Sequence, residues 1–271
     1  MTRDSKNEMQ ISEAELRIMT AEMVDMHEDT FPQLQASMLD LGSSLRSKGV
    51  ALGKTVASRR GVVAGGTAAM GVLLLSACGS SDDKASDTPG TTPTKGGSDS
   101  GDAGALRLNA SLENLAVFAY GAALEAAPMG KFGKVPPAVA EFATNAKKQH
   151  QDHADAFNAA LKKAGGEAFT KPNPALTPTV LDLFKAVNSV PGLAMLALTL
   201  ENTAAATYTK QMGELMSDEA LAAVATIAPV ERQHAAILSF VLGDYPIPDT
   251  FVKTTKTPTS LGARPNSDVP N

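Results

Sequence analysis

The sequence predicts an all-α protein whose folded part is a four-helix bundle, two helical hairpins joined by a long crossover. Three observations lead there. Alanine, the strongest helix former, is abundant, and no stretch sustains the period-two alternation of β-branched residues that strands need. Between residues 105 and 243, apolar residues recur at helical spacing in four long runs. Within those runs "LENLAVFAY" at 112–120 returns as "LENTAAATY" at 200–208, and "QDHADAF" at 151–157 returns as "RQHAAIL" at 232–238. A duplicated hairpin of this kind brings equivalent side chains together about a pseudo-twofold axis.

Taken in order, residues 1–57 form an N-terminal extension. "ISEAELRIMTAEMVDMHEDTF" mixes scattered apolar residues with many acids, and the expectation is a short cytoplasmic helix or a start codon assigned too early, with Met38 as the alternative. His27 lies there, away from the other histidines, and is expected at the surface. Residues 58–78 hold paired arginines (Arg59, Arg60), a weakly apolar run and then "LSAC". Residues 79–104 are rich in Gly, Ser, Thr and Asp, cannot bury a core, and read as a flexible tether.

The four bundle helices are expected at about 106–126, 136–164, 191–215 and 218–242. The second opens at Pro136-Pro137, where proline suits the first turn, and ends at Gly165-Gly166. The fourth is capped by Ser217 and ends at Gly243. One short amphipathic helix is expected in the crossover near 179–189, and the proline-rich tail, 244–271, is expected to run extended over the surface.

Each bundle helix carries polar groups on its apolar stripe. Glu113 shares a face with Leu106, Ala110, Val117 and Leu124, and Glu201 with Ala194, Leu198, Ala205 and Met212. His150 and His153 lie with Phe142, Ala146, Phe157 and Ala160. Glu231 and His234 lie with Val224, Ile227, Leu238 and Val241. An isolated buried carboxylate costs several kcal/mol, and bound cations would offset that cost. The alternative, an ion-paired structural core, would need basic partners on the same faces, whereas Lys147, Lys148 and Arg232 lie off them. Tyr120 and Tyr208 each follow a motif glutamate by two turns, either as core tyrosines bonding across the bundle or as outer partners of the ligands.

The order Glu, then x-x-His, then Glu, then Glu-x-x-His resembles that of ferritin-like di-iron carboxylate proteins, and over about 140 residues the chain looks like their bacterial ferritin-like-domain relatives. Glu113, Glu201, Glu231, His234 and His153 match the pattern. Position 150 departs from it: His150 stands where the family has a glutamate. The resemblance implies two metal ions, iron first, held by Glu113, His150, His153, Glu201, Glu231 and His234. The third imidazole leaves zinc, manganese and copper open.

The stretch around Cys78 resembles a twin-arginine export signal joined to a lipoprotein processing site. This implies cleavage before Cys78, a lipid on its sulfur, and an already folded domain tethered at the outer face of the cytoplasmic membrane. The competing reading is an uncleaved membrane helix, for which residues 61–77 are short and rich in Gly and Ala. With one cysteine there is no intrachain disulfide, and a net charge of −5 offers no footprint for nucleic acid. Two functions stand. One is a membrane-tethered di-metal protein that oxidises ferrous iron, reduces peroxide or activates O2; the residues do not choose whether or which of these it catalyses. The other is a non-catalytic envelope lipoprotein that uses the bundle as a structural or partner-binding module. The protein partner is unspecified, and a homodimer is open.

Overall fold

The computed structural model describes residues 9–50, 98–246 and 252–269. The paired arginines, Cys78 and most of the tether lie outside the described residues. Among the described residues the regular elements are all helices, with one isolated bridge between Thr257 and Ser260. Its elements are α1 (Glu13–Ser47), α2 (Ser98–Ala126), α3 (Pro137–Lys163), α4 (Thr177–Ala186), α5 (Val190–Gln211) and α6 (Asp218–Leu242), followed by a short 3-10 turn at Asn266–Asp268. Among the described residues no helix is long and apolar enough to cross a membrane.

The four expected bundle helices are present as α2, α3, α5 and α6. Pairings α2 with α3 and α5 with α6 are the two hairpins, and α4 lies in the crossover against α5. The local reasons are those in the sequence. Pro136 sits at the N-cap of α3, and the Ser217 hydroxyl accepts from the Ala220 N–H at 3.2 Å to start α6. Gly243 ends α6 in the left-handed conformation, φ 78°, which a side chain would disfavour.

Three expectations change. The helix that opens the bundle starts at Ser98, so the tether does not run to residue 104. Asp102 is buried there and accepts from the N–H groups of Met216 and Ser217 at 3.1 and 3.0 Å, tying the start of α2 to the start of α6. A buried acceptor for two orphan donors outweighs the low apolar content that suggested a linker.

Second, the N-terminal segment is a 35-residue helix packed against α3 and α6. A capping box starts it, with the Ser12 hydroxyl accepting from the Glu15 N–H and the Glu15 carboxylate accepting from the Ser12 N–H. Its buried stripe is Leu16, Thr20, Met23, His27, Leu34, Met38, Leu41 and Leu45. At Gly42 the approach to α3 is so close that a β-carbon would stand 2.6 Å from the Ala160 carbonyl oxygen. Third, His27 is buried on this stripe, not at the surface: its ring stacks on Phe31 at 5.0 Å and meets the His153 ring at 5.2 Å.

Residues 252–269 lie along α5 on the other side. The Thr203 and Thr207 hydroxyls accept from the N–H groups of Leu261 and Arg264 at 2.9 and 3.0 Å, and Val269 is buried with Leu108, Leu112 and Leu200. Beside that cluster, two larger apolar clusters stack along the bundle. One is built on Leu41, Phe157, Tyr208 and Ile227, the other on Leu16, Phe142, Leu198 and Leu238. The polar residues singled out in the sequence fall between them.

Candidate metal centre

All six sequence-predicted ligands converge in one buried layer. Glu113 comes from α2, His150 and His153 from α3, Glu201 from α5, and Glu231 and His234 from α6; each is at most 1% exposed. They form two groups that share His150 and Glu231. One group is Glu113, His150, His153 and Glu231; the other is His150, Glu201, Glu231 and His234; within each, one ligand atom per residue lies within 4.8 Å of the others. His150 Nδ1 is 2.7 Å from Glu113 Oε2, and its Nε2 is 3.2 Å from Glu201 Oε1. His234 Nδ1 is 3.3 Å from Glu201 Oε2 and 3.5 Å from Glu231 Oε2.

The repeat explains the tyrosines. The Tyr120 hydroxyl donates to Glu201 Oε1 at 2.6 Å, and the Tyr208 hydroxyl donates to Glu113 Oε1. Each LEN…Y segment therefore supplies a glutamate and the hydroxyl that bonds the other segment's glutamate. Bonding across the bundle and bonding to a candidate ligand are one and the same contact. Asn114 and Asn202, which follow the glutamates, reach outward in parallel fashion, donating to the carbonyls of Phe169 and Thr259 at 2.8 and 3.0 Å.

Electrostatically the layer balances itself. Burial alone would push Glu113 up, but His153 and His150 beside it hold it down to about 2. Burial also opposes the ionised form of Glu201, yet His150 and His234 keep it well below the carboxylate range. The converse holds for the imidazoles. Burial favours neutral His153, but Glu113 raises it to about 9; Glu201 and Glu231 raise His150 well above its usual value; Glu201 raises His234. Burial, with Glu201 near Tyr120 and Glu113 near Tyr208, keeps both phenols protonated. The basic partners that an ion-paired core needs are thus the histidines themselves, not lysine or arginine.

Ion pairing nevertheless leaves three atoms unsatisfied. Neither carboxylate oxygen of Glu231 has a hydrogen-bond partner, although the residue is 0% exposed, and the same is true of His153 Nδ1. His153 Nδ1 is 3.3 Å from Glu231 Oε1 without hydrogen-bond geometry. Orphaned buried donors and acceptors are rare. These three face one another at the junction of the two groups, where a cation would take lone pairs from each. Mixed imidazole and carboxylate donors suit iron, zinc, manganese or copper, so the residues present fit a pair of such ions. A neutral His150 has one lone pair. It can ligate one ion and donate its remaining N–H to the carboxylate on the other side.

Two residues at the site were not among the sequence expectations. Gln149 is 3% exposed, and its Oε1 lies 2.7 Å from His234 Nε2 while its Nε2–H donates to the Met23 carbonyl of α1 at 3.3 Å. The signal was present: Gln149 lies one turn before His153 on the stripe with Phe142 and Ala146. His27 is the second; burial, with His153 next to it, pushes it down to about 4. From outside, a narrow cleft between α2 and α5, walled by Leu112, Leu115, Leu176 and Leu200, reaches Glu113, His150 and Glu201.

No characterised protein and no solved structure matches the chain. The sequence profile of the ferritin-like domain matches residues 101–244, from the first turns of α2 to the residue after the Gly243 cap. With that match spanning more than half of the chain, and the all-helical fold and the buried Glu/His layer agreeing with it, the protein belongs to the ferritin-like domain family.

Proposed function

We propose that the protein holds two metal ions, iron first, between α2, α3, α5 and α6, and that this centre is redox-active toward a small molecule or ion. The observation that carries the reading is the orphaned Glu231 carboxylate, shared by the two donor groups and facing the orphaned His153 Nδ1. Glu113, His153 and Glu231 would hold one ion; Glu201, His234 and Glu231 the other; His150 would serve one of them. Bound iron supplies one-electron exchange between its ferrous and ferric states. The chain's own residues do the rest. The two apolar clusters keep bulk water from the layer, which strengthens each charge–charge contact inside it. The Tyr120 and Tyr208 hydroxyls hold Glu201 and Glu113 in place and keep a proton one bond from each carboxylate. The cleft between α2 and α5 admits only small reactants. For its place in the cell we propose a lipid-anchored, exported protein. The support is Cys78 in its "LSAC" context behind Arg59-Arg60.

Metal content of the purified full-length chain after anaerobic ferrous loading tests the centre. Two ions per chain are expected. His150→Ala should lose one preferentially, and Glu231→Ala should lose both. Ferrous oxidation, peroxide consumption and O2 consumption by the loaded chain then separate the chemistries. A second reading is favoured by the self-neutralising ion pairs: a metal-free bundle serving as a structural or partner-binding lipoprotein. A wild-type chain that takes up no iron, zinc, manganese or copper would establish that reading instead.

A further inference from the structure

We infer that Gln149 is the positioning residue for His234 and that α1 works through it, so that docking of α1 and occupancy of the His234 side of the centre are coupled. The inference rests on the metal reading above but goes beyond its ligand set. The bonds run in one direction. The Met23 carbonyl accepts from the Gln149 Nε2–H, which turns Gln149 Oε1 toward α6. That oxygen, 2.7 Å away, can only accept, so the proton sits on His234 Nε2 and the lone pair of neutral His234 sits on Nδ1. Nδ1 is the atom directed at Glu201 and Glu231. A ligating histidine whose far nitrogen is fixed in this way has one tautomer and one ring orientation, and removal of such a partner typically costs about 10–100-fold in metal affinity.

The anchor is unusual in its origin. Met23 belongs to α1, outside residues 101–244 of the family match. α1 also lays His27 against His153, so it touches a histidine of each donor group, one through Gln149 and one directly. Its seat is specific: Gly42 against Ala160, the Glu13 carboxylate accepting from the Ala138 N–H at 3.2 Å, and Arg17 paired with Glu141 at 3.2 Å. Because coupling between two binding events is reciprocal, an ion held by His234 should in turn tighten α1.

The full-length chain tests this with two readouts besides activity: affinity for each of two cobalt(II) ions, followed by its absorption spectrum, and hydrogen exchange of α1 amides with and without metal. In the wild type, metal should slow exchange around Met23. Gln149→Leu should weaken one of the two ions by about 10–100-fold, shift its cobalt spectrum, leave the other ion in place, and abolish the metal-dependent protection around Met23. Gln149→Glu separates the halves. Its carboxylate still accepts from His234 but repels the Met23 carbonyl, so affinity should be kept while protection around Met23 is lost. Gln149→Leu binding both ions with wild-type affinity and spectrum would overturn the inference, as would α1 exchange indifferent to metal in the wild type. If the wild type binds no metal, the proposed function fails and the positioning claim is decided in the metal-free chain. His234 Nε2–H should then be protected from exchange in the wild type and unprotected in Gln149→Leu; equal exchange in both would overturn it.

Discussion

Glu113 and Glu201 illustrate what single residues disclose. Each is an acid on an apolar stripe, a contradiction that, with the same one at Glu231, points three helices at one buried layer. The same logic missed Gln149, because an amide on a stripe raises less alarm than a charge. The crossed tyrosines yield a measurable consequence. Tyr120→Phe and Tyr208→Phe each remove a donor from a buried carboxylate, so each should cost the metal-free chain about 1.5–3 kcal/mol in urea unfolding, by similar amounts. A pH dependence also follows. His153 is raised to about 9 from 6.5, so its contribution to metal-free stability is complete below about 6.5 and is lost as pH rises through about 9. Glu113 is lowered to about 2 from 4.5, so its contribution is complete above about 4.5 and is lost as pH falls through about 2. His27 runs the other way: lowered to about 4 from 6.5, it costs stability as pH falls from about 6.5 towards 4, so metal-free stability should peak near pH 6.5. Metal binding needs neutral imidazole and expels those protons, so affinity should rise between about pH 6 and 8, by up to about tenfold per unit for each proton released. Titrations at several pH values check this. A pH-independent affinity would mean that the histidines are not ligands.

At the scale of elements, the bundle helices were legible because period, caps and breakers agreed: Pro136, Ser217 and Gly243 mark ends where the structure has them. The two failures have different causes. The many acids of α1 mask the phase of its apolar residues. Leu16, Thr20, Met23, His27, Leu34, Met38, Leu41 and Leu45 follow a three-four spacing that predicts one buried face. The opening turns of α2 resemble a tether in sequence because their stabilisation comes from a distant contact. Asp102 meets α6 more than a hundred residues away, and no local pattern reports that. Asp102→Ala would leave the Ser217 N–H without its acceptor in a buried place and the part-buried Met216 N–H without its own. It should destabilise the chain by about 1–3 kcal/mol, read by urea unfolding, with faster hydrogen exchange at the starts of both α2 and α6. Faster exchange at α2 alone would mean that the tie to α6 carries no stability.

For the whole molecule, α1 and Cys78 pull in different directions. α1 precedes Cys78 in the chain, yet it buries Leu34, Met38, Leu41 and Leu45 with Phe157 and Ile227 of the bundle. A chain cut before Cys78 has no covalent link to α1. Its α3 and α6 would then expose the apolar surface that α1 covers and lose the Met23 carbonyl from Gln149. Exposed apolar faces of this kind are re-covered by association, and the self-complementary solution is a twofold pair of chains. The expected outcome in cells is an envelope form that begins at lipid-modified Cys78, lacks peptides from 13–47 and runs as a dimer in detergent. A cytoplasmic precursor would retain α1 and remain monomeric. Mass spectrometry of the envelope protein, with size-exclusion chromatography and light scattering on both forms, reads all three properties. Cys78→Ser should hold the chain in its uncut, α1-bearing, monomeric form. If the envelope protein instead carries intact α1 peptides in stoichiometric amount, cleavage before Cys78 is wrong, and α1 is a permanent fifth helix of the mature domain.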